Sequence, residues 1–494
     1  MKVCMISSET VPFAKSGGLA DVIGALSKKI ASQGYDVRIV IPRYSSISPE
    51  HLHLVRDKIN VPIDFGYSQI RVLQARIPDS EVPVYFIDHP DFSARPGFYG
   101  GHGSHTYRDN HRRFALFNRA VFALCREIEW IPDILHGHDW QTGLVGAYLR
   151  EWEQQSGFQN SKNVFSIHNI GYQGIFSKHD LHSTQLSWET CNSDTAGYDS
   201  RLNFLKCGIL NADALTTVSP TYAREIQSPE FGHGLEEILS ERGAGLVGIL
   251  NGVDYEEWDP RIDPHIPVPF SPEDLSGKRE AKRALQEKAG LPVRSDLPVI
   301  GMVSRLAAQK GFYELCDPHR GALKRICNEM AVQVVILGTG EKWIEEELIR
   351  LQTHSSNLKF FSTFSNTMAH LIEAGSDLFL MPSRYEPCGL NQIYSLRYAT
   401  LPIVRRTGGL ADTVENYDPQ TGDGTGFMFD ELSPEEIFHG TERAVSTWYE
   451  RPEHFQKMQH RAMGKHFSWD DSARKYLELY RMVLEQDEKL ELRS

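Results

Sequence analysis

Short apolar runs alternate with amphipathic helical stretches along almost all of this chain, and the alternation is broken once, by five prolines at Pro260, Pro264, Pro267, Pro269 and Pro272. Val3 to Ile6 reads as a buried strand. Leu19, Val22, Ile23, Leu26 and Ile30 then recur at helical spacing, Gly34 stops that helix, and Val37 to Ile41 is a second strand ended by Pro42. Further strands are expected at Ile134–Leu135, Val164–Ile167 and Ala214–Val218, with helical stretches such as Arg112–Ile128 between them. The proline stretch suits neither a helix interior nor a central strand, so the interdomain linker is placed there. Beyond it the pattern restarts at Val299–Val303, Val332–Leu337, Leu358–Phe361, Leu378–Met381 and Ile403–Val404. Strands alternating with helices make parallel sheets covered on both faces. The expected class is α/β, with two Rossmann-like, doubly wound domains facing a central cleft. The expected boundaries are 1–259, 260–469 and a C-terminal helical segment, 470–494, packing back toward the first domain.

Composition narrows the partners. A chain of 494 residues has room for two or three domains. Its 52 Lys and Arg against 65 Asp and Glu give a formal charge of −13, a field that repels nucleic-acid backbones and anionic membranes. No apolar stretch approaches the roughly 18 residues of a membrane span, and the apolar start of the chain is too short for a signal-peptide core. Seven cysteines, an odd number, are scattered with no C-x-x-C pair. That pattern argues against a disulfide framework or a structural zinc site and for a reducing, cytoplasmic setting. An anionic ligand would need a few local cations.

Several loops at expected strand ends supply such groups. Lys15-Ser16-Gly17-Gly18-Leu19-Ala20-Asp21 opens the first helix. Paired glycines before a helix let backbone N–H groups approach a phosphate, and Lys15 adds a full charge; a tight turn explains the same glycines. A second Gly-Gly pair, in Arg405-Arg406-Thr407-Gly408-Gly409-Leu410-Ala411-Asp412, echoes the first and suggests either a related half-site or another turn. Arg305 and Lys310 follow the strand Val299–Val303, where they could clamp a pyrophosphate or remain solvated surface cations. The segment from Pro382 to Asn391 follows the strand Leu378–Met381; it is expected to expose Glu386, a carboxylate suited to sugar hydroxyls, and to present backbone amides. His136-Gly137-His138-Asp139-Trp140 and Ile167-His168-Asn169 close strands of the first half, as sugar-binding groups or as satisfied core polar groups. No further cluster completes a metal site, and no cofactor is expected. The P-loop, G-x-G-x-x-G and G-x-S-x-G patterns are missing.

In order along the chain, Lys15 to Asp21, Asp109-Asn110 with Arg113-Phe114, His138 to Trp140, His168-Asn169, Val218 to Pro220, Leu250 to Asp254, Ser304 to Leu306, Gln309 to Gly311, Pro382 to Leu390 and Arg405 to Val414 together resemble glycosyltransferase family 5. These are the bacterial glycogen synthases and plant starch synthases, with the GT-B fold. The resemblance implies transfer of glucose from ADP-glucose to the non-reducing end of an α-1,4-glucan, with retention of configuration and release of ADP. It implies an acceptor side in the first domain and a nucleotide-sugar donor side in the second.

Carried over by the same resemblance, Arg305 and Lys310 bind the diphosphate and stabilise its growing charge. Lys15, Gly17, Gly18 and Asp21 face the donor. Glu386 with the amides of Cys388, Gly389 and Leu390 holds sugar hydroxyls, and Asn391 borders the phosphates. His168 flanks the reacting carbon, while Asp139 and Asn251 line the sugar and acceptor region. Retention without an evident second carboxylate fits a same-face mechanism in which the departing phosphate oxygen helps deprotonate the acceptor. The site is expected to be complete only when the cleft closes.

Four positions depart from the family pattern: Ser16 for Thr, Gln141 for His, Tyr385 for Phe and Asn391 for Thr. The competing readings are UDP-glucose as donor and a catalytically silent glucan-binding protein on the same fold.

Overall fold

The computed structural model describes residues 1–101, 106–191 and 201–491, so the last three residues of the 470–494 segment lie outside the described residues. The chain divides into two compact units. The first holds residues 1–218, 223–252 and 469–494, and the second residues 219–222 and 253–468.

The first unit is built on a nine-stranded sheet in the order Leu246–Gly248, Ala214–Thr217, Lys162–Ile167, Ile134–His138, Lys2–Ile6, Asp36–Pro42, Pro83–Asp88, Gly66–Arg76 and His53–Ile63. From Leu246–Gly248 to Pro83–Asp88 neighbouring strands pair in parallel; the last two add antiparallel edges. Val3, Cys4, Met5 and Ile6 are fully buried, as an unbroken apolar run must be when helices cover both faces of a parallel sheet. The C-terminal helix Trp469–Glu491 belongs to this unit. Tyr476, Leu477, Tyr480 and Val483 are buried, Tyr480 Oη lies 2.7 Å from His136 Nδ1, and Lys29 pairs with Asp470 at 2.5 Å.

The second unit carries six parallel strands in the order Leu358–Phe361, Gln333–Leu337, Val299–Val303, Leu378–Met381, Leu401–Arg405 and Phe427–Phe429. The proline stretch packs into this unit. Ile266 and Phe270 are buried in one cluster with Trp258, Ala281 and Tyr398, and Phe270 N–H donates to Pro260 O at 3.1 Å. Apolar side chains spaced between the prolines explain why a segment without regular structure is nonetheless held down. Among the described residues no helix is long and apolar enough to cross a membrane.

Beneath that cluster lies a buried charge pair. His370 Nδ1 is 2.8 Å from Asp263 Oδ2, which also accepts the Tyr398 hydroxyl proton at 2.5 Å, and the imidazole stacks on Trp258 at 3.7 Å. Burial disfavours the imidazolium, but Asp263, with Glu257 at 3.9 Å, outweighs it and raises His370 to about 9. An imidazole whose folded pKa exceeds its unfolded 6.5 stabilises fully below that value and loses the contribution as pH rises through 9. The His370 contribution, on the order of 3 kcal/mol, is therefore expected to disappear between pH 6.5 and 9.5. Melting curves of the wild type and His370→Gln across that window check this: the stability gap between them should close as pH rises through 9.

Candidate active site

In the first unit the chain leaves strand Lys2–Ile6 through Ser7, Ser8, Glu9 and Thr10, all buried. Glu9 is the anchor of the glycine loop. Its carboxylate accepts from the Ser16 amide, from the Ser16 hydroxyl at 2.6 Å and from the Tyr99 hydroxyl, whose oxygen also lies 2.7 Å from Ser8 Oγ. Neither Glu9 nor Tyr99 was among the expected site residues; the signal available was a carboxylate directly after a buried strand. Gly17 precedes the helix Gly18–Ser32 in an extended conformation, and a Cβ built on it would meet nothing within 4 Å. Lys15 Nζ lies 2.7 Å from Asp21 Oδ1, so the charge of the loop is shared between them.

The ends of strands Ile134–His138 and Lys162–Ile167 bring three histidines together. His138 Nδ1 is 3.0 Å from His168 Nε2, and His136 Nε2 is 2.7 Å from Ser166 Oγ. Burial lowers His168 to about 4 and His136 to about 3, so both are neutral near pH 7. Asp139 sits at φ 58°, a strained setting for a non-glycine residue. Its Oδ1 accepts from the amides of His168 at 2.7 Å and Asn169 at 3.3 Å, while burial raises its carboxyl to about 7 against the pull of those bonds. Asn251 is buried, and its side-chain carbonyl has no hydrogen-bond partner within the protein.

In the second unit the cation loop and the Pro382–Asn391 segment are stitched together. Gly311, at φ 76°, is where the loop passes Pro382: a Cβ there would fall 1.9 Å from the Pro382 carbonyl oxygen. Arg384 N–H donates to Gln309 O at 2.8 Å. Lys310 Nζ reaches Glu386 Oε2 at 2.5 Å, and Ser383 Oγ donates to the same oxygen at 3.0 Å. Glu386 is only 5% exposed, not displayed on a kinked loop as expected, because Gly408 and Gly409 pack beneath it. Gly409 N–H donates to Glu386 O at 3.0 Å, and added Cβ atoms would lie 2.0 Å from Glu386 O and from Cys388 O. The second Gly-Gly pair is thus a packing surface for this segment. Asn391 Nδ2 donates to Val303 O at 2.6 Å, tying the start of helix Asn391–Arg397 to the end of the strand that leads to Arg305. Arg305 itself is exposed, and Gly389 takes φ 71°.

Each unit therefore carries its own cluster at the carboxyl ends of parallel strands. The first combines a glycine loop, neutral imidazoles and a buried carboxyl; the second a lysine–carboxylate pair whose lysine shares its loop with an arginine. Among the described residues no group of three His, Cys, Asp or Glu side chains is placed to hold a metal ion.

Residues 2–241 match the family described as starch synthase catalytic domain, and residues 285–462 match glycosyl transferases group 1. A glycogen synthase of Treponema denticola is 47% identical over 488 residues, 98% of this chain and 99% of that protein. Glycogen synthase 1 of Geobacter metallireducens is 43% identical over 98% of this chain and 96% of its own length. Among solved structures, the catalytic domain of starch synthase IV from Arabidopsis thaliana, bound to ADP and acarbose, aligns with a TM-score of 0.87 at 31% identity, covering 98% of this chain and 99% of that one. A sucrose-phosphate synthase from Thermosynechococcus elongatus, at 16% identity and a TM-score of 0.60 over 98% and 100% of the two chains, shares the fold.

Proposed function

The chain belongs to the glycogen synthase and starch synthase family of glycosyltransferases, and we propose that it extends an α-1,4-glucan at the non-reducing end with glucose from ADP-glucose, retaining configuration and releasing ADP. The observation that carries the reading is the Lys310–Glu386 pair at the strand ends of the second unit. The similar starch synthase structure is bound to ADP and acarbose, which supports a nucleoside-diphosphate donor and a sugar acceptor here.

In this proposal Arg305 and Lys310 meet the diphosphate, and their charges favour its departure because negative charge grows there as the glycosidic bond breaks. Lys15 and the Gly17–Gly18 backbone contribute a second set of donors, with Asp21 holding Lys15 in place. Glu386 and the amides of Cys388, Gly389 and Leu390 take the sugar hydroxyls, and Asn391 sets the loop against Val303. His168, kept neutral by burial, offers a hydrogen bond near the reacting carbon without adding charge. Asp139 and Asn251 line the sugar and acceptor region; the unpaired carbonyl of Asn251 is an acceptor for a hydroxyl. The departing phosphate oxygen receives the acceptor proton on the same face. We place the reaction in the cytoplasm, a reading supported by an odd number of cysteines scattered along the chain with no C-x-x-C pair.

Nucleotide release from ADP-glucose and UDP-glucose, each with and without glycogen, tests the proposal. ADP release that depends on glycogen and exceeds UDP release is expected. A preference for UDP-glucose would replace the donor, and release from neither donor in the presence of glycogen would overturn the reading.

A further inference from the structure

Beyond the ends of the paired strands Val299–Val303 and Gln333–Leu337, the two segments stay bonded. Ser304 N–H donates to Leu337 O at 3.0 Å, Leu306 N–H to Thr339 O at 3.0 Å, and Glu341 N–H to Leu306 O at 2.8 Å. Gly338 and Gly340 permit this approach: Cβ atoms on them would lie 2.0 Å from Ser304 O and 2.2 Å from Leu306 O. A side chain then takes over from the backbone. Glu341 Oε1 accepts the amide of Ala308, which lies between Arg305 and Lys310 in the chain, at 3.1 Å, and Oε2 accepts both the Tyr313 hydroxyl and the Trp343 indole N–H at 3.0 Å. The two rings meet edge to face at 5.0 Å, and their donors converge on the same carboxylate oxygen.

We propose that Glu341 is a positioning residue for the donor-phosphate site, its carboxylate holding Ala308 and thereby the spacing of Arg305 and Lys310, with Tyr313 and Trp343 orienting the carboxylate. The inference rests on the role proposed above for those two cations. A carboxylate can serve three donors because both oxygens only accept. A glutamine cannot. Whichever way its amide turns, the NH₂ group faces either the Ala308 amide or the Trp343 indole, donor against donor. Removing the indole N–H with Trp343→Phe lets the NH₂ turn to the Tyr313 hydroxyl oxygen and returns the carbonyl oxygen to Ala308.

The test uses calorimetric ADP binding and glucose-transfer kinetics on the full chain. Glu341→Gln is expected to weaken ADP binding and raise the donor KM by about 10- to 100-fold, the scale of a misplaced binding group, while the acceptor KM stays unchanged. Glu341→Gln with Trp343→Phe should regain most of that loss at a similar melting temperature, which a general loss of stability would not produce. ADP affinity at the wild-type level in Glu341→Gln would overturn the inference, as would a double variant no better than the single one. Arg305→Ala separates the two layers. If it weakens ADP binding and Glu341→Gln does not, only the positioning role falls; if it leaves ADP binding unchanged, the proposed cation site falls with it.

Discussion

Lys310→Ala is expected to cut glucose transfer by about 10²–10³-fold, the usual cost of removing one preorganised charge from a developing anion. The structure adds a second reason. Lys310 is the cation of Glu386, whose side chain is 7% exposed, so its removal leaves a carboxylate buried beside the place proposed for a diphosphate. That unpaired charge repels the donor, and it also costs stability on the order of 3 kcal/mol, since breaking a buried ion pair from one side leaves desolvation without compensation. The two effects can be separated. Adding Glu386→Gln to Lys310→Ala removes the stranded charge, so the melting temperature should return toward wild type while transfer stays low. Steady-state kinetics with a saturating glucan, set beside melting curves, read both. If Lys310→Ala kept more than about a tenth of the wild-type rate, the electrostatic role would be lost. If the double variant recovered transfer along with stability, Lys310 would be a structural partner of Glu386 and nothing more.

What was legible in the sequence follows the physics of buried parallel strands. Val299–Val303, Leu358–Phe361 and Leu378–Met381 lie where their apolar runs put them, and the loops after the first and third carry Arg305, Lys310 and Glu386 as expected. The strands His53–Ile63 and Gly66–Arg76 were not legible. They form an antiparallel edge with few buried positions, and Arg56, Asp57 and Lys58 lie exposed in the first of them, so no apolar run marks them. Side chains acting behind the site were hidden for another reason. Glu9 and Glu341 matter through residues seven and thirty-three positions away, Ser16 and Ala308, and no local spacing encodes such contacts. The burial of Glu386 depends likewise on Gly408 and Gly409, which in sequence look like a twin of Gly17 and Gly18.

That likeness predicts opposite outcomes for one substitution made twice. Gly408→Ala should destabilise the second unit. Its φ of 42° is left-handed, and the new methyl would sit 2.0 Å from the Glu386 carbonyl oxygen, a backbone atom with no room to yield. Strain and overpacking together imply a loss of about 3 kcal/mol, or a fall in melting temperature of roughly 10 °C in a unit of this size. Transfer should fall with it, because Glu386 moves. Gly17→Ala meets none of these obstacles. Its φ of −161° is extended backbone that any residue adopts, and its Cβ finds nothing within 4 Å. Stability should hold or rise by a few tenths of a kcal/mol, since alanine narrows the unfolded ensemble. The space in front of Gly17 is then the only thing the methyl can take away. If the donor occupies it, the donor KM should climb about 10- to 100-fold while the melting temperature stays put. An unchanged donor KM in Gly17→Ala would make the first glycine pair a plain turn into its helix and remove the backbone of that loop from the phosphate site.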